Sequence, residues 1–384
     1  MTDAQPDRQP DAQPDRQPDA QRDGQPDPAG WADRAAAAER AVLMRSVRRL
    51  WGIPGTALGV NSCPPTLVHR LFLGWNYWWQ AHLLDCLLDA EIRDPQAGRR
   101  RLIDRLIRGI RARNLGRWSN RYYDDMAWLA LAFERTDRRL GSDHGPAISR
   151  LTAEIVAAWS DALGGGIPWR RGDDFKNTPA NAPAAILLAR TGHLDRAIAT
   201  VDWIDLALRD PDTGLIWDGL RPGVVEKVIY PYCQGVVLGA ELEVTARARR
   251  PRDRIHRLVA AVDRHLAADG VLTGDAGGDS GLFTGILARY LALVAADVAG
   301  AEPADTTTRA VARRLVLSSA EAAWSNAAVQ DGMPLFGPDW SRPARPPFDA
   351  PAGRAPERDL SVQLSGWLLL EAAHAVRGLP GAAG

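Results

Sequence analysis

Apolar residues recur at helical spacing along almost the whole chain from Trp31 onward, with short interruptions at Gly, Pro and Asp. Segment 97–113 carries a heavily charged face, whereas 121–137 and 228–247 are apolar almost all round. One-sided helices that alternate with buried ones indicate an outer and an inner ring, so we predict an all-α fold, a closed α/α barrel. The predicted helices, about twelve in number, are 33–51, 67–92, 97–113, 121–137, 146–163, 179–191, 193–209, 228–247, 252–267, 280–299, 306–328 and 358–377.

The first thirty residues differ from the rest, because they contain the repeat QPDRQPDAQPDRQPDA. Proline at every fourth position is incompatible with a helix, and almost no apolar side chain is present to bury. We therefore expect a disordered tail over 1–30 and a single domain over 31–384. The tail lacks the basic start and apolar middle of a signal peptide. This predicts a cytoplasmic location, with export by a non-standard route as the alternative.

Composition excludes several classes of function. Lysine plus arginine equals aspartate plus glutamate at 47 each, so no global field attracts nucleic acid or anionic lipid. Three scattered cysteines and seven histidines without a His-x-x-x-His pair predict neither a metal site nor a cofactor. The longest apolar run, GILARYLALVAADVAG, carries Arg289 and Asp297 and falls short of the ~20 residues of a membrane span. We therefore expect no transmembrane segment.

Tryptophan is unusually frequent, with 14 residues against six Phe and six Tyr. Indole rings either fill a large helical core or stack on the apolar faces of sugar rings. The composition alone leaves both interpretations open.

The stretch NRYYDDMAWLALAF places Asp124 and Asp125 at the start of an apolar helix, and the positions one and two turns later are apolar. In one interpretation the two carboxylates only complement the helix dipole. In the other they form a catalytic pair, since adjacent residues bring their carboxyl groups to within about 5 Å, as a retaining glycosidase requires. Of two such close charges, we expect one pKa to rise and the other to stay low.

The block YYDDMAWLALA resembles the signature of glycoside hydrolase family 76, the bacterial and fungal α-1,6-mannanases. Five further blocks resemble that family in the same order, and the similarity covers about residues 35 to 377. They are NYWWQAH (76–82), GGIPWRRGDDFKNTPAN (165–181), YCQGVVLGA (232–240), LFTGILARYL (282–291) and FGPDW (336–340).

The resemblance implies an (α/α)6 barrel of six hairpins that hydrolyses α-1,6-linked mannan with retention of configuration and without a cofactor. Asp124 matches the nucleophile and Asp125 the general acid/base. Other residues are predicted to line the carbohydrate groove, although Trp79 also fits a core position, Gln234 a backbone contact and Asp218 a turn. The predicted groove residues are Tyr123, Trp79, Gln80, Trp169, Asn177, Asp218, Gln234 and Trp340.

Three departures from the family pattern concern substrate identity. Cys233 replaces the usual Asn, Thr284 replaces a frequent Lys, and Pro183 follows Asn181 in a helix that normally continues with polar residues.

Two rival functions remain open at this stage. A glycan-binding protein would keep the aromatic residues without turnover. A sugar epimerase would need positioned histidines, but His82 fits a core position better, and His69 and His374 are isolated.

Overall fold

A computed structural model describes residues 28–274, 276–298, 300, 302–346 and 355–379. Within them the predicted segments appear as helices, except that 67–92 is divided into a short α2 and a long α3 by a turn at Phe72. The helices are α1 Pro28–Ser46, α2 Leu67–Arg70, α3 Tyr77–Arg93, α4 Ala97–Arg113, α5 Tyr123–Leu140, α6 Gly145–Ala157, α7 Thr178–Arg190, α8 Leu194–Leu208, α9 Pro231–Ala248, α10 Asp253–His265, α11 Phe283–Asp297, α12 Pro303–Ser325 and α13 Leu360–Arg377.

The long helices form two concentric rings. In the inner ring, each of α3, α5, α7, α9, α11 and α13 packs against the next, and α13 packs against α3 to close the circle. The outer ring consists of α1, α4, α6, α8, α10 and α12, which alternate with the inner helices along the chain. The prediction of an all-α (α/α)6 barrel of six hairpins is therefore confirmed.

Burial follows the sequence pattern that predicted the rings. Almost every residue of α13 is buried, whereas outer helix α10 buries one stripe of apolar side chains and exposes the opposite face. Glycine allows the closest approaches within the inner ring. A Cβ atom at Gly235 would lie 2.7 Å from Leu287 Cα, and one at Gly285 would lie 2.5 Å from Ser365 Cα.

Short strands shape the connections between the helices. One sheet has three strands, β3–β4–β5, and the others are two-stranded antiparallel ribbons. The strands are β1 Val47–Arg48, β2 Leu58–Gly59, β3 Lys176–Asn177, β4 Gly219–Arg221, β5 Val224–Glu226, β6 Ala267–Ala268, β7 Val271–Leu272, β8 Ala328–Gln330 and β9 Met333–Leu335.

Four inner helices carry a buried amide side chain at their fourth residue. Each amide accepts a hydrogen bond from the backbone N–H of one loop residue and donates one to that residue's C=O, at 2.8–3.1 Å. Because the side chain reproduces the pairing of a neighbouring strand, it fastens the loop to the helix. We name these residues the amide anchors: Gln80 on Gly59, Asn181 on Ile167, Gln234 on Ile216 and Gln363 on Phe336.

Two predictions concern segments at the limits of this description. Residues 1–27 of the predicted tail lie outside the described residues, whereas 28–30 form the first turn of α1. Among the described residues, Gly278–Asp297 has the length and mean hydropathy (1.2) of a membrane-crossing helix. That stretch contains inner helix α11, and 67% of its 18-residue apolar window is buried inside the fold, as in a core helix.

Candidate active site

A cleft of about 830 Å³ opens where the inner helices begin. Its lining includes four carboxylates, whereas the one basic residue among the described lining residues is the exposed Arg121. Aromatic side chains form most of the walls. They are Trp75, Tyr77, Trp78, Tyr122, Trp169, Phe175, Tyr230, Tyr232 and Phe283, and the carboxylates are Asp124, Asp125, Asp218 and Asp279.

Asp124 lies in the first turn of α5 and faces the cleft. Its Oδ1 accepts a hydrogen bond from the backbone N–H of Asp125 at 2.8 Å, and its Oδ2 accepts one from the indole Nε1 of Trp169 at 3.0 Å. Burial raises the pKa of Asp124 to about 6, although both hydrogen bonds favour the ionised form.

Asp125 is buried beside it, and its Oδ2 accepts a hydrogen bond from Asn120 Nδ2 at 2.6 Å. Burial and the neighbouring charge of Asp124 raise the pKa of Asp125 well above its usual value. The expectation that one pKa of the pair stays low is therefore wrong. Both carboxyl groups are desolvated, and no described basic side chain forms an ion pair with either of them.

The loop between α6 and α7 positions Trp169. Its backbone N–H donates to Phe175 O at 2.7 Å, and its carbonyl accepts from the backbone N–H of Tyr123 at 2.9 Å. Lys176 anchors the same loop by donating to the carbonyls of Ser160, Ala162 and Gly165 at 2.6–2.8 Å. The indole that touches Asp124 is thus held from both sides.

Two further carboxylates complete the polar part of the cleft. Asp218 Oδ1 is buried without a hydrogen-bond partner among the described residues, and burial raises its pKa to about 6 with help from Glu226 and Asp124. Asp279 Oδ1 accepts hydrogen bonds from Asn76 Nδ2 at 2.8 Å and Trp79 Nε1 at 3.0 Å. Asp218 therefore has a buried oxygen that can accept a hydrogen bond from a ligand.

The structure brings together five of the predicted site residues: Asp124, Asp125, Trp169, Asn177 and Asp218 all line the cleft. Asn177 also caps α7, since its Oδ1 accepts from the backbone N–H of Ala180 at 3.2 Å.

The other five predicted residues do not line the cleft. Gln80 and Gln234 are fully buried amide anchors whose hydrogen bonds go to loop backbone, so they have none to offer a sugar. Trp79 is a core residue that supports Asp279, and Trp340 is buried with its carbonyl bonded to Asn326. Tyr123 is buried next to the dyad, as we call the pair Asp124 and Asp125, and its neighbour Tyr122 faces the cleft instead.

Several cleft residues escaped the sequence-based prediction. Tyr232 and Phe283 stack with ring centroids 4.1 Å apart, and Trp78 packs within 6.4 Å of both. All three lie in the first two residues of inner helices, which is a usable signal once the rings are known. Asn120 and Asp279 precede inner helices, but nothing in their local sequence indicates a side-chain role.

No histidine lines the cleft among the described residues. His82 is fully buried between Trp78 and Trp128, and burial lowers its pKa to about 3. His374 lines a separate cavity at the opposite end of the barrel. Within the described part of the chain, no group of three His, Cys, Asp or Glu residues is arranged to hold a metal ion.

Solved structures with the same architecture include three, of two proteins, at 27–28% identity. The GH76A α-1,6-mannanase from Salegentibacter sp. HEL1_6 is 28% identical, with a TM-score of 0.77 over 89% of this chain and 98% of that one. An inactive doubly substituted variant of that enzyme, in complex with α-1,6-mannotriose, matches with a TM-score of 0.77 at 27% identity over 90% of this chain and 99% of that one. A protein from Listeria innocua is 28% identical, with a TM-score of 0.75 over 89% of this chain and 96% of its own.

No curated protein sequence matches the chain. The family comparison is decisive, because the profile described as Glycosyl hydrolase family 76 matches residues 43–364, which include the whole cleft. The chain belongs to glycosyl hydrolase family 76.

Proposed function

We propose that the protein is a retaining glycoside hydrolase that cleaves α-1,6-mannosidic linkages, with Asp124 as nucleophile and Asp125 as general acid/base. One observation carries the proposal: two adjacent carboxyl groups, with no ion-pair partner among the described residues, lie in an aromatic-walled cleft. The similar enzyme from Salegentibacter is named an α-1,6-mannanase, and its inactive variant holds α-1,6-mannotriose. Both support the same linkage here.

The surroundings of the two carboxyl groups favour this division of roles. Asp124 accepts two hydrogen bonds that stabilise its ionised form, and its pKa is raised only to about 6. Asp125 sits beside that charge, which together with burial raises its pKa well above the usual value. The pair therefore favours a form that shares one proton, and the hydrogen bonds to Asp124 favour Asp124 as its ionised member, which is the arrangement a retaining glycosidase needs.

In the first step Asp125 protonates the glycosidic oxygen while Asp124 attacks the anomeric carbon, so the C–O bond breaks and a glycosyl ester forms. In the second step Asp125 takes a proton from water, whose oxygen attacks the anomeric carbon and releases Asp124. Trp169 holds Asp124 in the orientation for attack, and Asn120 holds Asp125.

Other cleft residues fit a sugar chain. The stacked Tyr232 and Phe283 offer an apolar wall to the C–H faces of pyranose rings. Asp218 has a buried oxygen without a partner among the described residues, and we assign it to a sugar hydroxyl. This contact would satisfy a group whose isolation costs free energy in the empty cleft.

The two rival functions are weaker. An epimerase would require a base that removes a carbon-bound proton, but no histidine lines the cleft among the described residues. A non-catalytic glycan-binding protein would use the same aromatic wall, yet it would not need two adjacent carboxyl groups that have no cationic partner in the described part of the chain.

The test is to incubate the protein with linear α-1,6-mannan and follow the anomeric protons by NMR. We expect the α-anomer to appear first, and Asp124→Asn to abolish turnover while oligosaccharide binding persists. Asp125→Asn should slow natural substrates far more than substrates with an activated leaving group, which need no acid. Asp195→Asn, an exposed first-turn aspartate of outer helix α8, is the matched control. Early β-anomer, or full activity of both dyad variants, would refute the mechanism.

The cytoplasmic location stays a prediction, and fractionation of the source cells followed by immunoblotting would test it. Detection outside the cell would instead support the alternative of non-standard export.

A further inference from the structure

Exposed apolar side chains cluster on α2 and the turn that follows it. Leu67 is 70% exposed, Leu73 64%, and Val68 and Leu71 are also exposed. Trp51 joins them, since its Nε1 donates to the carbonyl of Leu71 at 2.7 Å and half of its side chain remains exposed. A soluble surface rarely leaves so many large apolar residues side by side without a partner.

Arg113 connects this cluster to the end of α4. Its Nε donates to the carbonyl of Phe72 at 2.7 Å, and its guanidinium lies 5.0 Å from the ring centre of Trp75. Leu115, which is 83% exposed, follows two residues later. We call this surface the shoulder: Trp51, Leu67, Val68, Leu71, Leu73 and Leu115. It borders the mouth of the cleft, because Trp75 and Asn114 line that cleft.

The shoulder lies in the most one-sidedly basic part of the chain. Residues 40–84 contain no Asp or Glu, and residues 97–122 contain nine arginines against the single acidic residue Asp104. Arg99 and Arg100 of α4 pair with Glu91. None of the exposed arginines around the shoulder forms an ion pair within the described residues. These are Arg48, Arg49, Arg70, Arg108, Arg111 and Arg117.

We propose that the shoulder docks onto an anionic lipid bilayer. Exposed Leu and Trp side chains enter the headgroup boundary, and unpaired arginines bind lipid phosphates. The chain as a whole carries no net charge, so this attraction is local and orients the molecule. The mouth of the cleft then lies at the membrane surface.

The composition of the shoulder favours a bilayer over the chain's own N-terminal segment. Residues 1–27 are rich in Asp and complement the arginines, but they contain no Leu, Ile, Val, Phe or Trp to cover the apolar side chains. A bilayer with anionic headgroups satisfies both halves of the surface. This proposal does not depend on the proposed hydrolysis, because it involves neither the dyad nor a glycan.

The experiment is sedimentation of the full-length protein with vesicles of phosphatidylcholine alone or with added phosphatidylglycerol, at low and high salt. We expect binding to the anionic vesicles that weakens as salt rises. Leu67→Glu/Leu73→Glu should reduce this binding by about tenfold or more, because it removes apolar insertion and adds repulsion. The matched control is Leu206→Glu/Val329→Glu, which changes two side chains that are 90% and 76% exposed on α8 and β8.

A second pair of variants tests the charge contribution. Arg70→Glu/Arg117→Glu should weaken anionic binding by a similar factor, whereas Arg257→Glu, on the exposed face of α10, should not. Urea unfolding of each variant verifies that it is folded. Absence of binding to anionic vesicles, or equal losses in shoulder and control variants, would overturn the proposal. Binding that appears only after removal of residues 1–27 would also overturn it, and would assign the shoulder to that segment.

Discussion

The two ends of the inner barrel both contain paired acidic residues, but in opposite electrostatic settings. At the end where the inner helices begin, Asp124 and Asp125 have no basic partner among the described residues. At the end where they finish, a cavity of about 880 Å³ is lined by Asp85 and Asp89, one turn apart on α3. Arg135 and Arg289 each contact both of these carboxylates.

The consequence appears in the protonation of two comparably buried groups. Burial raises the pKa of Asp85, but Arg289 and Arg135 more than offset it, so its pKa lies below the usual value. Burial raises the pKa of Asp124 to about 6, and no cation in the described part of the chain opposes it. A buried carboxylate with a fixed cation serves structure, whereas one without a cation keeps a proton to exchange.

The largest expected effect comes from adding a cation beside Asp125, for which the described residues supply none. Asn120→Lys would place an ammonium beside Asp125, stabilise its ionised form and remove the proposed general acid. We expect hydrolysis of α-1,6-mannan, the proposed substrate, to fall by about 10²–10⁴-fold at neutral pH. Asn120→Ala is the control, because it removes the same hydrogen bond without adding charge. If Lys and Ala variants were equally active, the missing cation would not matter for catalysis.

At the opposite end of the barrel, removal of a cation should lower the stability of the protein rather than its activity. Arg135→Ala leaves Asp85 and Asp89 with one cation between them, so we expect the free energy of unfolding to drop by about 3–5 kcal/mol. Arg138→Ala, in an exposed i,i+4 pair with Glu134, should cost less than about 1 kcal/mol. Urea unfolding at pH 7 measures both. Equal losses for the two variants would contradict the distinction between buried and exposed pairs.

The free energy of unfolding should also depend on pH through the cleft carboxyl groups, which have no ion-pair partner among the described residues. The folded pKa of Asp124 is raised from 3.8 to about 6. The contribution of protonated Asp124 to the free energy of unfolding is therefore fully present below about pH 4 and is lost as pH rises through 6. We expect Asp124→Asn/Asp125→Asn to be more stable than the native protein at pH 7, by about 3 kcal/mol from Asp124 alone. This difference should shrink at pH 4.5. A gap that is constant between pH 4.5 and 7 would count against raised pKa values.

The smallest expected effect concerns the indole that holds Asp124. Hydrolysis should fall off below a midpoint near pH 6 as Asp124 becomes protonated. Trp169→Phe removes a hydrogen bond to the ionised form, so this midpoint should move to higher pH by up to about one unit. The measurement is kcat/KM against pH, with Trp159→Phe as a control, since Trp159 Nε1 donates to Asp161 outside the cleft. An unchanged midpoint would show that the indole only packs.

Local patterns were sufficient to predict the fold and to single out the two adjacent carboxyl groups that line the cleft. Apolar periodicity separated inner from outer helices, since the two rings differ in how many faces they bury. Asp124 and Asp125 were found because both interrupt an apolar helix at adjacent positions. These features depend on neighbours within one or two helical turns.

The partners of buried polar groups could not be predicted in the same way. Gln80 and Gln234 interrupt apolar helices just as the dyad does, but each binds loop backbone that lies 18 to 21 residues earlier in the chain. Asp279 is held by Trp79, 200 residues away. A polar residue in an apolar helix indicates that it has a partner inside the protein. Only the path of the loops decides whether that partner is backbone or substrate.

The amide anchors also affect how readily the loops at the rim of the barrel can be exchanged. Each one binds only main-chain atoms, so its hydrogen bonds do not call for a particular side chain on the loop residue. Gly59 is the exception, because a Cβ atom there would lie 2.6 Å from Leu360 Cδ2. A loop of different length or composition could bind the same amide side chain if one of its residues presented a free backbone N–H and C=O. Loops at the rim can therefore be changed, by evolution or by design, to alter substrate preference while the inner helices and their carboxyl pair remain unchanged.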